Sequence, residues 1–392
     1  MAETKSYLKN ATALRGIAAL LVVVFHSNET SAAFISTDTT FWFRKLYLMV
    51  DLFFVLSGFI MCYVYEDYFN NPLNSRKTVG FLKARFARIY PLHFVTLAFC
   101  VSMTLITIAI GKYGYNSDVV KAIEDFRIIP GQLLLLHSAN IANIFTWNVP
   151  SWSISAEWFA YMLFPFLVVP FSKFNLKQLS LAIVIIILLY AGFVFYIVPN
   201  RNVVYPFLKP AVNLDATWDW GFARGILGFT LGMCVYRLYI KNVFKNVIGN
   251  GWFLLGTVIL YSLYMHFNLS DFGAPIFYAI IVLSAVYGSP GINRFFGITI
   301  FQKLGDWSFS IYMWHMVFLI LIWNIQTWML TAPPSNNPGP TNYFGLTNPL
   351  IILLVFTIIV IIIGRFSFIY LEKPTRTWIN GWGKKKRKDN NS

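Results

Sequence analysis

The chain has 392 residues, of which 57% are hydrophobic, 18% aromatic and only 12% charged. That balance excludes an ordinary soluble protein, and apolar runs of about twenty residues recurring along most of the length mark a polytopic α-helical membrane protein. The net charge of +15 does not point to nucleic acid as a partner, because the positive residues lie in short segments between apolar runs, where topology accounts for them.

The first apolar stretch runs Leu14-Arg-Gly-Ile-Ala-Ala-Leu-Leu-Val-Val-Val-Phe-His26. Eleven residues separate Arg15 from His26, so a helix puts both on one face, about 16 Å apart along its axis. Gly16, Ala18 and Ala19 are small enough to let another helix pack closely. Two ionisable groups on one face of a membrane helix point to function. Lys5, Lys9 and Ser31-Ala32-Ala33 around this stretch resemble a secretory signal, but Arg15 within it argues against cleavage, and the span is read as retained.

Hydropathy predicts an all-α bundle of about ten spans, near 14–31, 46–65, 91–111, 150–170, 179–199, 218–237, 251–267, 272–288, 304–327 and 348–370. The stretch 128–145, interrupted by Pro130, Gly131 and His137, is read as re-entrant or surface structure rather than an eleventh span. Ten spans leave both termini on one side. That side collects 21 of the 31 Lys and Arg residues and the other seven, so the termini are expected in the cytoplasm. Residues 1–371 then form one transmembrane domain, and 372–392 a short basic tail whose Lys384–Lys388 run serves as a topology anchor beside anionic lipid.

Asp51 enters the second span from outside. A carboxylate costs about 2.5–3.5 kcal/mol at mid-membrane and less near the interface, so it is expected to have a partner. Ser57-Gly58 further along is either a close helix contact or a backbone opening that lines a cavity. Arg85 and Arg88 follow at i,i+3. With Pro91 at the first turn of the third helix, they predict an anion site for the phosphates of a cytoplasmic ligand, against the plainer reading of topology-setting charge. His93 is read as structural.

In Trp147-Asn-Val-Pro-Ser-Trp-Ser-Ile-Ser-Ala-Glu157, Pro150 fits a helix start and Trp147 an interfacial belt. Ser153 and Glu157 share a face at i,i+4, and Arg224 is a candidate partner for Glu157. Ser308, Tyr312 and His315 form a polar stripe on the ninth span, although a satisfied core histidine is the commoner explanation of a lone one. His266 needs no special role, and the Pro- and Asn-rich loop 328–347 lies outside, where it could cap an entrance. Cys62, Cys100 and Cys234 have no metal-ligand spacing, and no metal is expected. Two classes fit these groups. A secondary transporter would use them as a proton or substrate relay, and a transmembrane transferase would hold a phosphorylated donor at the arginines and use His26 on an outer acceptor.

The motifs add a resemblance. Leu14-Arg15-Gly16 followed by His26 resembles the N-terminal signature of the acyltransferase type 3 family of membrane proteins. So do Asp51-Leu-Phe-Phe-Val-Leu-Ser-Gly-Phe59, Arg85-Phe-Ala-Arg88-Ile-Tyr-Pro91, Ser151-Trp-Ser-Ile-Ser-Ala-Glu157, Gly305-Asp-Trp-Ser-Phe-Ser-Ile-Tyr-Met-Trp-His315 and Glu372-Lys-Pro374. The resemblance implies a membrane O-acyltransferase, most often moving acetyl from cytoplasmic acetyl-CoA to hydroxyls of extracytoplasmic carbohydrate or glycolipid, in the inner membrane of a bacterium.

Carried over, His26 and Arg15 match the essential pair of the first helix, Arg85 and Arg88 the basic cluster linked to CoA, and Glu157 the acidic position of the tryptophan motif. Asp51 or Glu157 is expected to orient the imidazole, and Ser57 to lie on the donor path. Trp152, Ser153, Tyr312, His315 and Arg224 are expected on the acceptor side. Relatives often carry an acidic residue about three before the arginine, where this chain has Thr12. With only a short tail after the last span, any hand-off of the acyl group is expected to use the membrane domain itself or a separate partner. Oligomeric state is left open by the sequence.

Overall fold

A computed structural model describes residues 8–30, 39–69, 74–204, 212–329 and 348–382. Among them the regular structure is helical, with no strand. The main helices are α1 (Lys9–Thr30), α2 (Met49–Tyr65), α3 (Ser75–Ala109), α4 (Trp152–Ser172), α5 (Leu176–Gly192), α6 (Gly221–Ile240), α7 (Gly251–His266), α8 (Ala274–Tyr287), α9 (Thr299–Met329), α10 (Pro349–Ser367) and α11 (Lys373–Gly381). A helix therefore stands at each of the ten apolar stretches. Seven of the described helices are long and apolar enough to cross a membrane, or eight if α8 and the short helix Pro290–Phe296, bent by 100° against it, form one span. The others are α6, which carries Arg224 and Arg237, and the 16-residue α7. Of the loop expected at 328–347, residues 328 and 329 belong to α9 and 330–347 fall outside the described residues, as does the Lys384–Lys388 run.

Three close pairings set the positions of the functional side chains. α1 lies along α9, where a Cβ on Gly16 would come within 2.6 Å of the Gly305 nitrogen. Farther along the same pair, His26 meets His315. Ten residues on each helix separate the two contacts, so α1 and α9 run parallel. α2 lies along α6, where a Cβ on Gly58 would stand 1.9 Å from the Phe229 carbonyl oxygen and one on Gly232 2.1 Å from that of Val55. Gly58 thus makes the close helix contact; α2 runs through it without a backbone opening, and it is the neighbouring Ser57 that lines a cavity. α4 lies along α6, with Gly225 against Ala156 and Gly221 against Trp152. Small residues bring these backbones together, which is how membrane helices gain packing where lipid is as apolar as the side chains.

Several expectations need correction. α3 begins at Ser75, capped by the Asn74 side chain accepting from the Lys77 N–H, so Pro91 lies inside the helix and not at its first turn. Arg85 and Arg88 consequently have no helix N-terminus beside them. Trp147 is no interfacial residue: it is 1% exposed, edge-on to Phe126, and its indole donates to the Asp125 carbonyl. A buried indole needs an acceptor for its N–H, and the Asp125 backbone supplies it. The stretch 128–145 contains only the short helix Ile129–Leu133 and turns. Its buried Gln132 donates from the carboxamide to Thr146, accepts from the Ser151 hydroxyl, and has its backbone carbonyl facing His93 Nε2. Finally, the boundary expected at 371/372 falls within continuous helix, because α10 passes through a π-helical turn, Phe368–Glu372, into α11, which packs on α3.

Candidate active site

A cavity opens between α1, α2, α3, α4 and α9, with about 840 Å³ of empty space when the open solvent at its mouth is counted. Its walls include Arg15 from α1, Ser57 from α2, Arg85 and Arg88 from α3, Ser153 and Glu157 from α4, and Ser308 and Tyr312 from α9. Phe53, Phe54, Ile60 and Ile89 supply apolar wall between them. Eight of the residues singled out from sequence thus meet in one chamber, from five different helices.

The arginine end is held in place by specific partners. Arg85 donates to the Tyr65 hydroxyl at 2.8 Å and stacks over the Tyr65 and Tyr161 rings, with its carbon 5.1 and 5.8 Å from their centres. Arg88 pairs with Glu372 and covers the Phe309 ring. Glu372 also accepts from the Ser310 hydroxyl at 2.8 Å, which ties α3, α9 and the α10–α11 joint together. Arg15, Arg85 and Arg376 all stand within Coulombic reach of Arg88. Cations held this close repel one another, so the cluster favours an anion among them. Sequence reasoning missed Glu372 and Arg376 as members of this end. They sit one turn apart, and that i,i+4 spacing is the signal; reading 372–392 as a tail hid it.

Midway along the chamber, Glu157 accepts from the Ser57 hydroxyl at 2.6 Å and the Tyr161 hydroxyl at 2.5 Å, both on one carboxylate oxygen. Glu157 is therefore satisfied by hydroxyls and not by Arg224, as the sequence had suggested. Tyr161, one turn after Glu157, was overlooked despite the same helical spacing. Arg224 instead grips Asp51 in a two-point ion pair, Nε to Oδ1 at 3.0 Å and Nη2 to Oδ2 at 2.6 Å, with both side chains fully buried. Trp152 lies under that guanidinium at 5.1 Å. Asp51, Arg224 and Trp152 thus form a clamp between α2, α4 and α6, and none of the three lines the cavity.

At the far end the Tyr312 hydroxyl bonds the Pro150 carbonyl at 3.0 Å and the Ser153 hydroxyl at 2.8 Å. Phe53 and Tyr312 face each other there, ring centres 5.8 Å apart. His315 follows three residues later on α9, about 4.5 Å further along the helix. It is fully buried, and its Nε2 lies 3.1 Å from Nδ1 of the half-buried His26. His26 and His315 thus form a pair beyond the aromatic end of the chamber. His315 is no isolated core histidine.

The acyltransferase domain family model matches residues 8–368. The chain belongs to that family. Among similar proteins, "Protein 2 in picA locus" of Rhizobium radiobacter is 34% identical over 31% of this chain and 61% of its own length. "Acyltransferase MdmB" of Streptomyces mycarofaciens is 23% identical over 69% of this chain and 67% of its own. A "Putative O-acetyltransferase" of Staphylococcus aureus strain COL is 22% identical over 94% of this chain and 57% of its own. The chain thus spans roughly three fifths of the length of these relatives. No solved structure matches it. The match covers every residue that lines the chamber and both histidines, while Glu372 and Arg376 lie just beyond it. Among the described residues, no group of His, Cys, Asp and Glu is placed to hold a metal ion.

Proposed function

We propose that this acyltransferase-family protein is a membrane O-acyltransferase that moves an acyl group, acetyl in the simplest case, from cytoplasmic acyl-CoA to a hydroxyl of an extracytoplasmic carbohydrate. The observation that carries the reading is one chamber with guanidinium groups at one end and a histidine pair just beyond the other. Acetyl-CoA is a substrate with a polyanionic end and a long neutral arm. Arg15, Arg85, Arg88 and Arg376 fit the phosphates, which guanidinium groups bind more specifically than ammonium groups do. The wall of Phe53, Phe54, Ile60 and Ile89 fits the neutral arm. The thioester then reaches the Tyr312 end, near His315 and His26. The positive-inside rule assigns the arginine end to the cytoplasm, and the bacterial inner membrane is the site that fits such a donor and acceptor.

In the reaction, His26 takes the proton of the acceptor hydroxyl as its oxygen attacks the thioester carbonyl. The C–S bond breaks, and the imidazolium returns that proton to the departing CoA thiolate, so atoms and charge balance. General-base catalysis of this kind contributes about 10²–10⁴-fold. Direct transfer needs no protein nucleophile, and Ser57, whose hydroxyl donates to Glu157, serves as chamber wall. A secondary transporter built on the same buried groups is not favoured by membership of an acyltransferase family.

The test is to reconstitute the purified protein in vesicles and supply acetyl-labelled acetyl-CoA with glycan fractions from O-antigen, capsule, exopolysaccharide and lipid-linked sugars. Label appearing in one glycan, with CoA released in equal amount, is the expected outcome. Glycan movement across the vesicle without consumption of acetyl-CoA would establish the transporter instead.

A further inference from the structure

The hydrogen bonds of the two facing histidines decide which nitrogen of His26 carries its lone pair. His315 Nδ1 faces the Tyr312 carbonyl oxygen. A carbonyl only accepts, so His315 Nδ1 carries a proton. The ring is fully buried, and its partners are the backbone of Tyr312 and of Ile311 and the His26 imidazole, none of them an anion. A buried charge without compensation is costly, so His315 is neutral and its Nε2 accepts. Facing that lone pair at 3.1 Å is His26 Nδ1, which therefore carries a proton as well. Val22 supports the same assignment, because its carbonyl lies 3.2 Å from His26 Nδ1 and also accepts. The lone pair of His26 is left on Nε2.

We propose that His315 is a positioning residue that holds His26 in the Nδ1–H tautomer, so that Nε2 is the base. This rests on the reading of His26 as the base and says how that base is prepared. A carboxylate does this work in the Ser-His-Asp arrangement of hydrolases, where it fixes the tautomer and steadies the imidazolium. Here a second imidazole does it, itself oriented by a backbone carbonyl one turn back on α9. When His26 takes a proton at Nε2, its Nδ1–H becomes a charge-assisted donor, and the bond to His315 tightens in the transition state. Asp51 and Glu157, expected from sequence to orient the imidazole, are engaged by Arg224 and by the Ser57 and Tyr161 hydroxyls.

Two near-isosteric replacements separate this role from packing. A glutamine at this position can put its carboxamide oxygen near the site of Nε2 and accept from His26. An asparagine overlays the Nδ1 side, where it can donate to the Tyr312 carbonyl but cannot reach His26 as an acceptor. Full-length His315→Gln, His315→Asn and His26→Ala are compared with wild type in the labelled-acetyl assay, per mole of monodisperse protein. His315→Gln should keep turnover within about tenfold of wild type, and His315→Asn should lose about 100-fold or more in kcat with KM for acetyl-CoA unchanged, an effect on the scale of a misplaced tautomer. Equal turnover in the two His315 variants, with His26→Ala inactive, overturns the proposal while leaving His26 as base. Full activity in His26→Ala overturns the base assignment itself.

A second readout needs no His315 variant. The chain has only 5 histidines, so ¹⁵N spectra of histidine-labelled protein can be assigned by difference with His26→Ala. Protonated Nδ1 and unprotonated Nε2 at His26 are expected; the reverse tautomer contradicts the proposal.

Discussion

Arg224 and Arg88 are both arginines inside a helical membrane bundle, and their surroundings differ in kind. Arg224 is fully buried and spends its guanidinium edge on Asp51 while Trp152 covers its face. Arg88 also has a carboxylate, Glu372, but lines the cavity and has Arg15, Arg85 and Arg376 around it. The first is a closed pair whose charges cancel. The second is an open cluster with a surplus of positive charge. An intramembrane charge is therefore a clue to function only once its partner and the space in front of it are known. By sequence alone the two arginines carried similar weight.

This contrast can be broken from the closed side with the largest effect. Arg224→Ala strands the Asp51 carboxylate, and breaking a buried pair in this way costs about 3–5 kcal/mol. We expect a large drop in folded abundance and in the midpoint of thermal unfolding measured in detergent. Replacing both partners with apolar side chains, Asp51→Leu with Arg224→Met, should restore much of that stability, because the desolvation penalty of both charges disappears. A double variant no more stable than Arg224→Ala would show that the pair does more than clamp α2 to α6.

The open side should respond in affinity and not in stability. Arg85→Lys together with Arg88→Lys keeps the charge and the topology but loses two-point phosphate recognition. A rise of about tenfold or more in Kd for acetyl-CoA, about 1.4 kcal/mol, is expected with the unfolding midpoint little changed. Equilibrium binding checks it, and an unchanged Kd would remove the arginines from donor recognition. The smallest effect belongs to Ser57→Ala, which removes a hydroxyl from Glu157 at the chamber wall. Transfer should stay within about threefold of wild type, roughly 0.7 kcal/mol. Complete loss would instead favour a covalent acyl-serine route.

The positions of the helices were legible because runs of about twenty apolar residues have few alternatives. The start of α3 was not. Residues 75–90 are amphipathic and basic, so hydropathy places the third span at 91, while the Asn74 cap begins the helix 16 residues before Pro91. Most candidate site residues were also legible, since a polar group on an apolar helix stands out. Their partners were not, except within one helix. Tyr161 could have been joined to Glu157 by its i,i+4 spacing. Asp51 and Arg224, 173 residues apart, and His26 and His315, 289 apart, become neighbours only through the order in which helices pack. Periodicity specifies a face, and neighbouring faces are settled by small residues such as Gly16 and Gly58 meeting backbone across the bundle.

In the proposed function the two ends of one chamber divide the labour, with donor binding at the arginines and proton removal at His26. The most direct test is His26→Ala, assayed for acetyl transfer and for acetyl-CoA binding in the same preparation. We predict an unchanged Kd for acetyl-CoA and turnover reduced by about 10²–10⁴-fold. Turnover at the wild-type rate in that variant would contradict the account.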